Sequence, residues 1–133
     1  MVLREHMGDN MLAGIDIVGI QRFKQVAERT PRILNRLFTE GEFEYCKRRR
    51  NPFPSLAVRF AAKEAVKKLE LGLQEGVSFR DIEVVNDPSG IPRVVLHGRA
   101  AQYWENAAYG SIALSLSHTD DHAVAVAVAR KGE

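Results

Sequence analysis

Ser111-Ile112-Ala113-Leu114-Ser115-Leu116, then Ser117-His118-Thr119-Asp120-Asp121-His122, then Ala123-Val124-Ala125-Val126-Ala127-Val128: this stretch decides the fold. Its outer runs alternate with the period of 2 that a strand requires, and the polar six residues between them carry turn chemistry. An antiparallel hairpin follows. Upstream, Ile82-Glu83-Val84-Val85 and Arg93-Val94-Val95-Leu96 flank Asn86-Asp87-Pro88-Ser89-Gly90, a dense turn signal that predicts a second hairpin. Arg99 to Ala107 reads as a helix between the two hairpins. Hairpins late in the chain and helices early define an α+β domain, an antiparallel sheet packed with helices, rather than a doubly wound α/β one.

The early half is punctuated by helix signals. Gly14-Ile15-Asp16-Ile17-Val18-Gly19-Ile20 reads as a β-branched strand between glycines, followed by a helix over Gln21 to Arg29. Thr30 suits an N-cap and Pro31 the first position of a new helix, whose stripe is Ile33, Leu34, Leu37 and Phe38. Thr39 and Glu42 have capping-box spacing, ahead of a helix over Phe43 to Arg48. After the loop Arg49-Arg50-Asn51-Pro52-Phe53-Pro54, Ser55 is expected to open the strongest helix, Leu56 to about Leu71.

The chain has 133 residues, 45% hydrophobic and 27% charged. That is one domain's worth of ordinary globular composition, which excludes a disordered tail or a fibrous repeat. No apolar run approaches the roughly 20 residues that span a bilayer. Met1 to Asn10 carries both charge signs and no apolar signal core. Residues 1–12 are expected to be a flexible extension, with translation starting at Met1 or Met11, and residues 13–133 the single domain. The one cysteine, Cys46, fits a reducing, cytoplasmic setting. The net charge of +2 hides an asymmetry: Arg22 to Arg50 holds nine basic residues against four acids, leaving the rest of the chain slightly acidic. An anionic partner is one explanation, a solvated basic face the other.

Asp16 lies between Ile15 and Ile17, so strand alternation points it away from their face. Taken alone it reads as a solvent-side carboxylate; the alternative is a metal ligand or general base on a rigid strand. Phe60, Glu64 and Lys68 recur every four residues and share one helix face. Glu64 and Lys68 are either a surface ion pair or a carboxylate and ammonium presented to a phosphate and its metal. Two carboxylates on different elements are a minimal set for a hard cation such as Mg²⁺. His118 and His122 flank the late turn, where histidine is commonly a plain surface residue. CxxC, HExxH, GxSxG and P-loop patterns are missing. The basic neighbours of Cys46 would lower its pKa, but no constellation supports a catalytic thiol.

Gly14-Ile15-Asp16-Ile17-Val18, Arg59-Phe60-Ala61-Ala62-Lys63-Glu64-Ala65 and Leu116-Ser117-His118-Thr119 together resemble the small, holo-acyl-carrier-protein synthase type of 4′-phosphopantetheinyl transferase. The resemblance runs from about Ala13 to Ala129, and Phe60 to Ala65 is its most specific piece. It implies Mg²⁺-dependent transfer of the phosphopantetheine arm of coenzyme A to a serine of apo-acyl carrier protein, with 3′,5′-ADP released. By position, Asp16 and Glu64 match the family's metal ligands and Lys68 a lysine near the phosphates. Glu64, His118 or a metal-bound water is left as proton acceptor. The resemblance places coenzyme A against Arg49, Arg50, Arg59, Lys68, Gly72, Gly90, Pro92, Ser117 and His118. It places the acidic carrier protein against Arg22, Arg29, Arg32 and Arg36. It further implies a homotrimer with sites at subunit boundaries, to which the alternating Ala123–Val128 strand is suited.

Two departures stand out. Family members have a Gly-Thr-Gly turn where this chain has Leu69-Glu70-Leu71-Gly72-Leu73, and a Gly-Lys-Pro turn where it has Gly90-Ile91-Pro92. They motivate one rival, a carrier-binding scaffold without activity. The basic segment motivates another, a nucleic-acid-binding module, though it holds no RNP-like or helix-turn-helix signature. The transferase reading expects neither a nucleic-acid nor a membrane partner.

Overall fold

A computed structural model describes residues 10–131. Strand β1 (Met11–Gly19) is followed by α1 (Ile20–Arg29), α2 (Arg32–Leu37), α3 (Glu40–Lys47) and α4 (Phe53–Lys67). The hairpin β2 (Ile82–Asn86) and β3 (Pro92–Leu96), helix α5 (Gly98–Asn106), and the hairpin β4 (Ile112–His118) and β5 (His122–Arg130) complete the chain. The late hairpin is therefore where its alternation places it, and the α+β class holds. The strands form two antiparallel sheets: a three-stranded one in the order β1-β5-β4 and the separate β2-β3 pair.

The three-stranded sheet is read most simply across its rows. Gly14, Ala127 and Leu114 lie side by side, as do Asp16, Ala125 and Leu116, and both rows face α4. Ala125, Ala127 and Ala129 of the middle strand are buried there in one cluster with Ala61, Ala62 and Ala65 of the helix, and Ala123 in the adjoining cluster with Leu56 and Ala57. Small residues on both surfaces let the helix axis lie close to the sheet. The opposite rows are Ala13-Val128-Ala113, Ile15-Val126-Ser115 and Ile17-Val124-Ser117. That face is open: Ile15 is 61% and Ile17 63% exposed. The strand β5 is thus covered on its alanine side, while its valines are only half-buried.

Several boundaries differ from expectation. Met11 and Leu12 pair with Arg130 and Ala129 inside β1, so the fold begins before residue 13; residues 1–9 of the expected extension lie outside the described residues. Thr30 caps no side of α2; its backbone closes α1 onto the Val26 carbonyl. Helix α4 starts at Phe53, with Pro54 in its first turn, because proline is tolerated where a helix lacks N–H partners. Ser55 therefore lies inside it, and the helix stops at Lys67 rather than Leu71. The Thr39–Glu42 capping box is present in full. Glu42 has a second duty: fully buried, it pairs with the equally buried Lys63 of α4 at 2.7 Å.

Candidate active site

Asp16 sits in the covered row of β1, not on the solvent side: its side chain is 16% exposed, beneath the end of α4. The two isoleucines that flank it take the open face instead. The helix reaches β1 because Gly14 has no side chain. A Cβ there would lie 2.0 Å from the Ala65 carbonyl oxygen, a distance no real pair adopts. Glu64 precedes Ala65, so this close approach carries Glu64 over Asp16. Burial raises the Glu64 pKa, and the Asp16 charge raises it further. Lys68, one turn on, donates to the Asp16 carboxylate at 3.0 Å and to the Ile15 carbonyl at 3.0 Å. Two mutually repelling carboxylates, with oxygen donors only, suit a hard divalent cation. Among the described residues no third acid, histidine or cysteine joins them, so water or a ligand's oxygens would complete the shell.

An apolar groove of about 360 Å³ opens beside the pair, running from Asp16 and Glu64 between α1, α2 and Phe60. Phe23, Ala27 and Leu37 form its floor, Val26 and Ile33 its wall, and Arg22 its rim. Arg29, Arg32 and Arg36 are exposed on the same two helices. None of the four arginines forms an ion pair with another described residue.

The residues expected at coenzyme A fall into separate groups. Arg59 is 4% exposed, with its guanidinium 4.3 Å over the Tyr45 ring and bonded to the Asn86 side chain. Asn86 in turn donates to the Gly90 carbonyl, which ties α4 to the β2-β3 turn and Pro92. Arg49 covers the other end of Tyr45, donating to its hydroxyl at 3.2 Å, and Arg50 is exposed beside it. Gly72 faces inward: a Cβ there would be 2.1 Å from the Tyr103 ring, so the altered segment packs tightly on α5. Glu70 caps the following 3₁₀ turn and accepts the Tyr109 hydroxyl, which raises the tyrosine pKa.

His118 ends β4, exposed, with its ring 3.2 Å from the Thr119 carbonyl. It lies in the row of Val18 and Ala123, two strands over and two residues along from Asp16. Strand spacing then puts their backbones about 12 Å apart. Ser117 faces the open side of the sheet, in the row of Ile17 and Val124. Cys46 is fully buried, and burial raises its pKa despite the arginines nearby, so its thiol is an inert core group. Gly14 and Lys63 are not among the candidate site residues that the sequence offers. A glycine two residues before a strand aspartate, on the same face, is the signal that would have found the first.

A model of the 4′-phosphopantetheinyl transferase superfamily matches residues 13–127. The holo-acyl-carrier-protein synthase of Moorella thermoacetica is 49% identical over 117 residues, covering 87% of this chain and 91% of that one. That of Caldanaerobacter subterraneus is 42% identical, covering 92% and 97%. Among solved structures, a Chronobacterium ammoniagenes ACPS–CoA complex superposes with a TM-score of 0.82 at 29% identity, over 94% of this chain and all of that one. The Helicobacter pylori holo-acyl-carrier-protein synthase in complex with coenzyme A gives 0.74 at 32% identity, over 89% and 99%. The chain belongs to the 4′-phosphopantetheinyl transferase superfamily. It is an enzyme of the small, holo-acyl-carrier-protein synthase type, which sets aside the scaffold reading.

Proposed function

We propose that this chain transfers the phosphopantetheine arm of coenzyme A to a serine of apo-acyl carrier protein, with Asp16, Glu64 and Lys68 as the reacting centre. The observation that carries the assignment is the meeting of Asp16 of β1 and Glu64 of α4 at one end of an apolar groove, with Lys68, at the C-terminal cap of α4, bonded to Asp16. The carrier's serine oxygen bonds to the pantetheine-side phosphorus, the pyrophosphate bridge breaks, and 3′,5′-ADP leaves with the bridging oxygen. Asp16 and Glu64 hold Mg²⁺, which supplies neutralisation of charge on the phosphate oxygens. Lys68 exchanges Asp16 for a phosphate oxygen and stabilises the leaving group. The serine proton goes to Glu64, directly or through water. Glu64 flanks the groove beside Asp16, whereas His118 of the same copy is too remote for direct transfer.

The carrier, an acidic protein, docks on α1 and α2, where Arg22, Arg29, Arg32 and Arg36 are exposed around the groove. Coenzyme A lies along Lys68 and toward Arg49, Arg50, Arg59, Gly90 and Pro92, with Gly72 shaping that wall from behind through its packing on Tyr103. Three copies assemble through the open face of the sheet. Its apolar rows support this; Ser117, which projects from that face, and His118, exposed at the end of β4 on the opposite side, are the residues offered to a neighbour's coenzyme A. The enzyme works in the cytoplasm: its cysteine is a free thiol, and among the described residues no helix is long and apolar enough to cross a membrane.

Intact-mass spectrometry of apo-carrier incubated with the protein, coenzyme A and Mg²⁺ tests the proposal. The carrier should gain one phosphopantetheine arm, and EDTA, Asp16→Ala or Glu64→Ala should each prevent the gain. Near-parental turnover in either folded variant at saturating metal would refute the two-carboxylate centre.

A further inference from the structure

Lys63 stands next to Glu64 in the sequence, yet its side chain is 0% exposed. An ammonium has three hydrogens to place, and all three find acceptors: Glu42 Oε1 at 2.7 Å, the Phe79 carbonyl at 2.9 Å and the Ile82 carbonyl at 2.6 Å. Glu42 is as fully used. Its Oε1 also accepts from the Thr39 N–H at 2.9 Å, and its Oε2 from the Val84 N–H at 2.7 Å. The network fastens α4 to the start of α3, to the turn before β2, and to β2 itself.

A buried ion pair is weak evidence for stability, since well-packed apolar residues in its place are often as stable. What it supplies is direction. Hydrogen bonds fix angle as well as distance, whereas an alanine-rich contact permits small rotations. Consecutive helix residues point about 100° apart, so Lys63 and Glu64 turn together about one axis. With side-chain tips about 5–6 Å from that axis, a rotation of roughly 10° sweeps the Glu64 carboxylate through about 1 Å. A misplacement of that size costs up to about a hundredfold in rate.

We propose that Lys63 and Glu42 are positioning residues for the transfer reaction: their buried pair sets the rotation of α4 and so the placement of Glu64 over Asp16. This rests on the role of Glu64 proposed above. The same pair holds α3 and β2, which lead to Arg49 and to the Gly90–Pro92 turn, at a set distance from the carboxylates.

The double variant Glu42→Gln/Lys63→Met tests it, because neither charge is left to desolvate. Thermal melting, kcat, the KM for each substrate, and Mn²⁺ binding by electron paramagnetic resonance with 3′,5′-ADP present are compared with the parent. The expected result is a folded protein whose kcat falls about 10- to 100-fold, with weakened Mn²⁺ binding and the KM for the carrier within about twofold. A folded variant with parental kcat and Mn²⁺ binding overturns the proposal. Should the double variant not fold, Glu42→Asp, which keeps both charges but shortens one arm by a methylene, is judged by the same two quantities. Metal binding separates the failures. A parent that binds no Mn²⁺ removes Glu64 as a ligand and the clamp with it; parental values in the variant remove the clamp alone.

Discussion

Replacing Gly14 by alanine should disable the enzyme while leaving every charged group in place. The added Cβ would sit 2.0 Å from the Ala65 carbonyl oxygen, 3.0 Å from its carbon and 3.2 Å from the Lys68 Cβ. Ordinary contact begins near 3.4 Å, so β1 and α4 must part by roughly 1.4 Å along the oxygen contact. The obstacle is backbone, which cannot swing aside as a side chain would. Overpacking of this kind costs about 1–3 kcal/mol of stability. The kinetic effect should be larger, because Gly14 and Asp16 share a face of β1 while Ala65 follows Glu64. Separating the two elements by more than 1 Å separates the two carboxylates. A loss of about a hundredfold in kcat is expected, equivalent to about 2.7 kcal/mol of transition-state stabilisation. Time-resolved intact-mass spectrometry of the carrier gives the rate, and circular dichroism melts confirm that the variant is folded. A folded Gly14→Ala protein with kcat within twofold of the parent would refute the idea that this close approach sets the site.

In the metal-free protein, Asp16→Asn should lower the pKa of Glu64 toward the ordinary 4.5, since the Asp16 charge is one of two causes raising it; carboxyl-carbon NMR titration reads this, and no change would mean the carboxylates are uncoupled. Because the raised pKa of metal-free Glu64 means that it keeps its proton to higher pH, Mn²⁺ affinity read by electron paramagnetic resonance should already weaken on acidification while the pH is above 4.5. An affinity unchanged down to that pH would remove Glu64 as a ligand. Arg22→Glu with Arg36→Glu should raise the KM for the carrier and flatten its salt dependence, with coenzyme A binding unchanged; an unaltered KM would reject α1 and α2 as the docking surface. Val126→Glu, on the open face of the sheet, should leave a folded monomer by light scattering; an assembly of parental mass would reject that face as the interface. Gly72→Ala should lower stability by about 1–3 kcal/mol, and adding Tyr103→Leu should restore most of it if the ring contact is the cause.

Both hairpins, five helical segments and the capping box at Thr39 were legible because each carries a local signature that its own neighbours enforce. The placement of Asp16 was not. Alternation along β1 says that Asp16 opposes Ile15 and Ile17, but it cannot say which face a helix covers. Two isoleucines weigh toward the inside, and only Gly14, small enough to admit the Ala65 carbonyl, points the other way. The early start of α4 was hidden by the two prolines that bracket Phe53. Glu64 and Lys68 were visible at helical spacing, whereas the Lys63–Glu42 pair joins residues 21 positions apart and has no local trace. The resemblance sets Arg59 against coenzyme A, and burial against Tyr45 and Asn86 makes it equally a strut between α4 and the β2-β3 turn.

The strand β1 is used on both sides, and this restricts how its sequence can change. Asp16 looks toward α4, while Ile15 and Ile17 look outward from the sheet. Deleting or inserting one residue between Gly14 and Asp16 would exchange the two faces, since neighbouring strand residues point oppositely. The carboxylate would then emerge among the valines of β5, and an isoleucine would press on the helix beside Glu64. Single substitutions can adjust either surface alone, but length cannot drift by one. Among relatives of this chain, the glycine-to-aspartate interval should hold at two residues even where the residues on the open face vary freely.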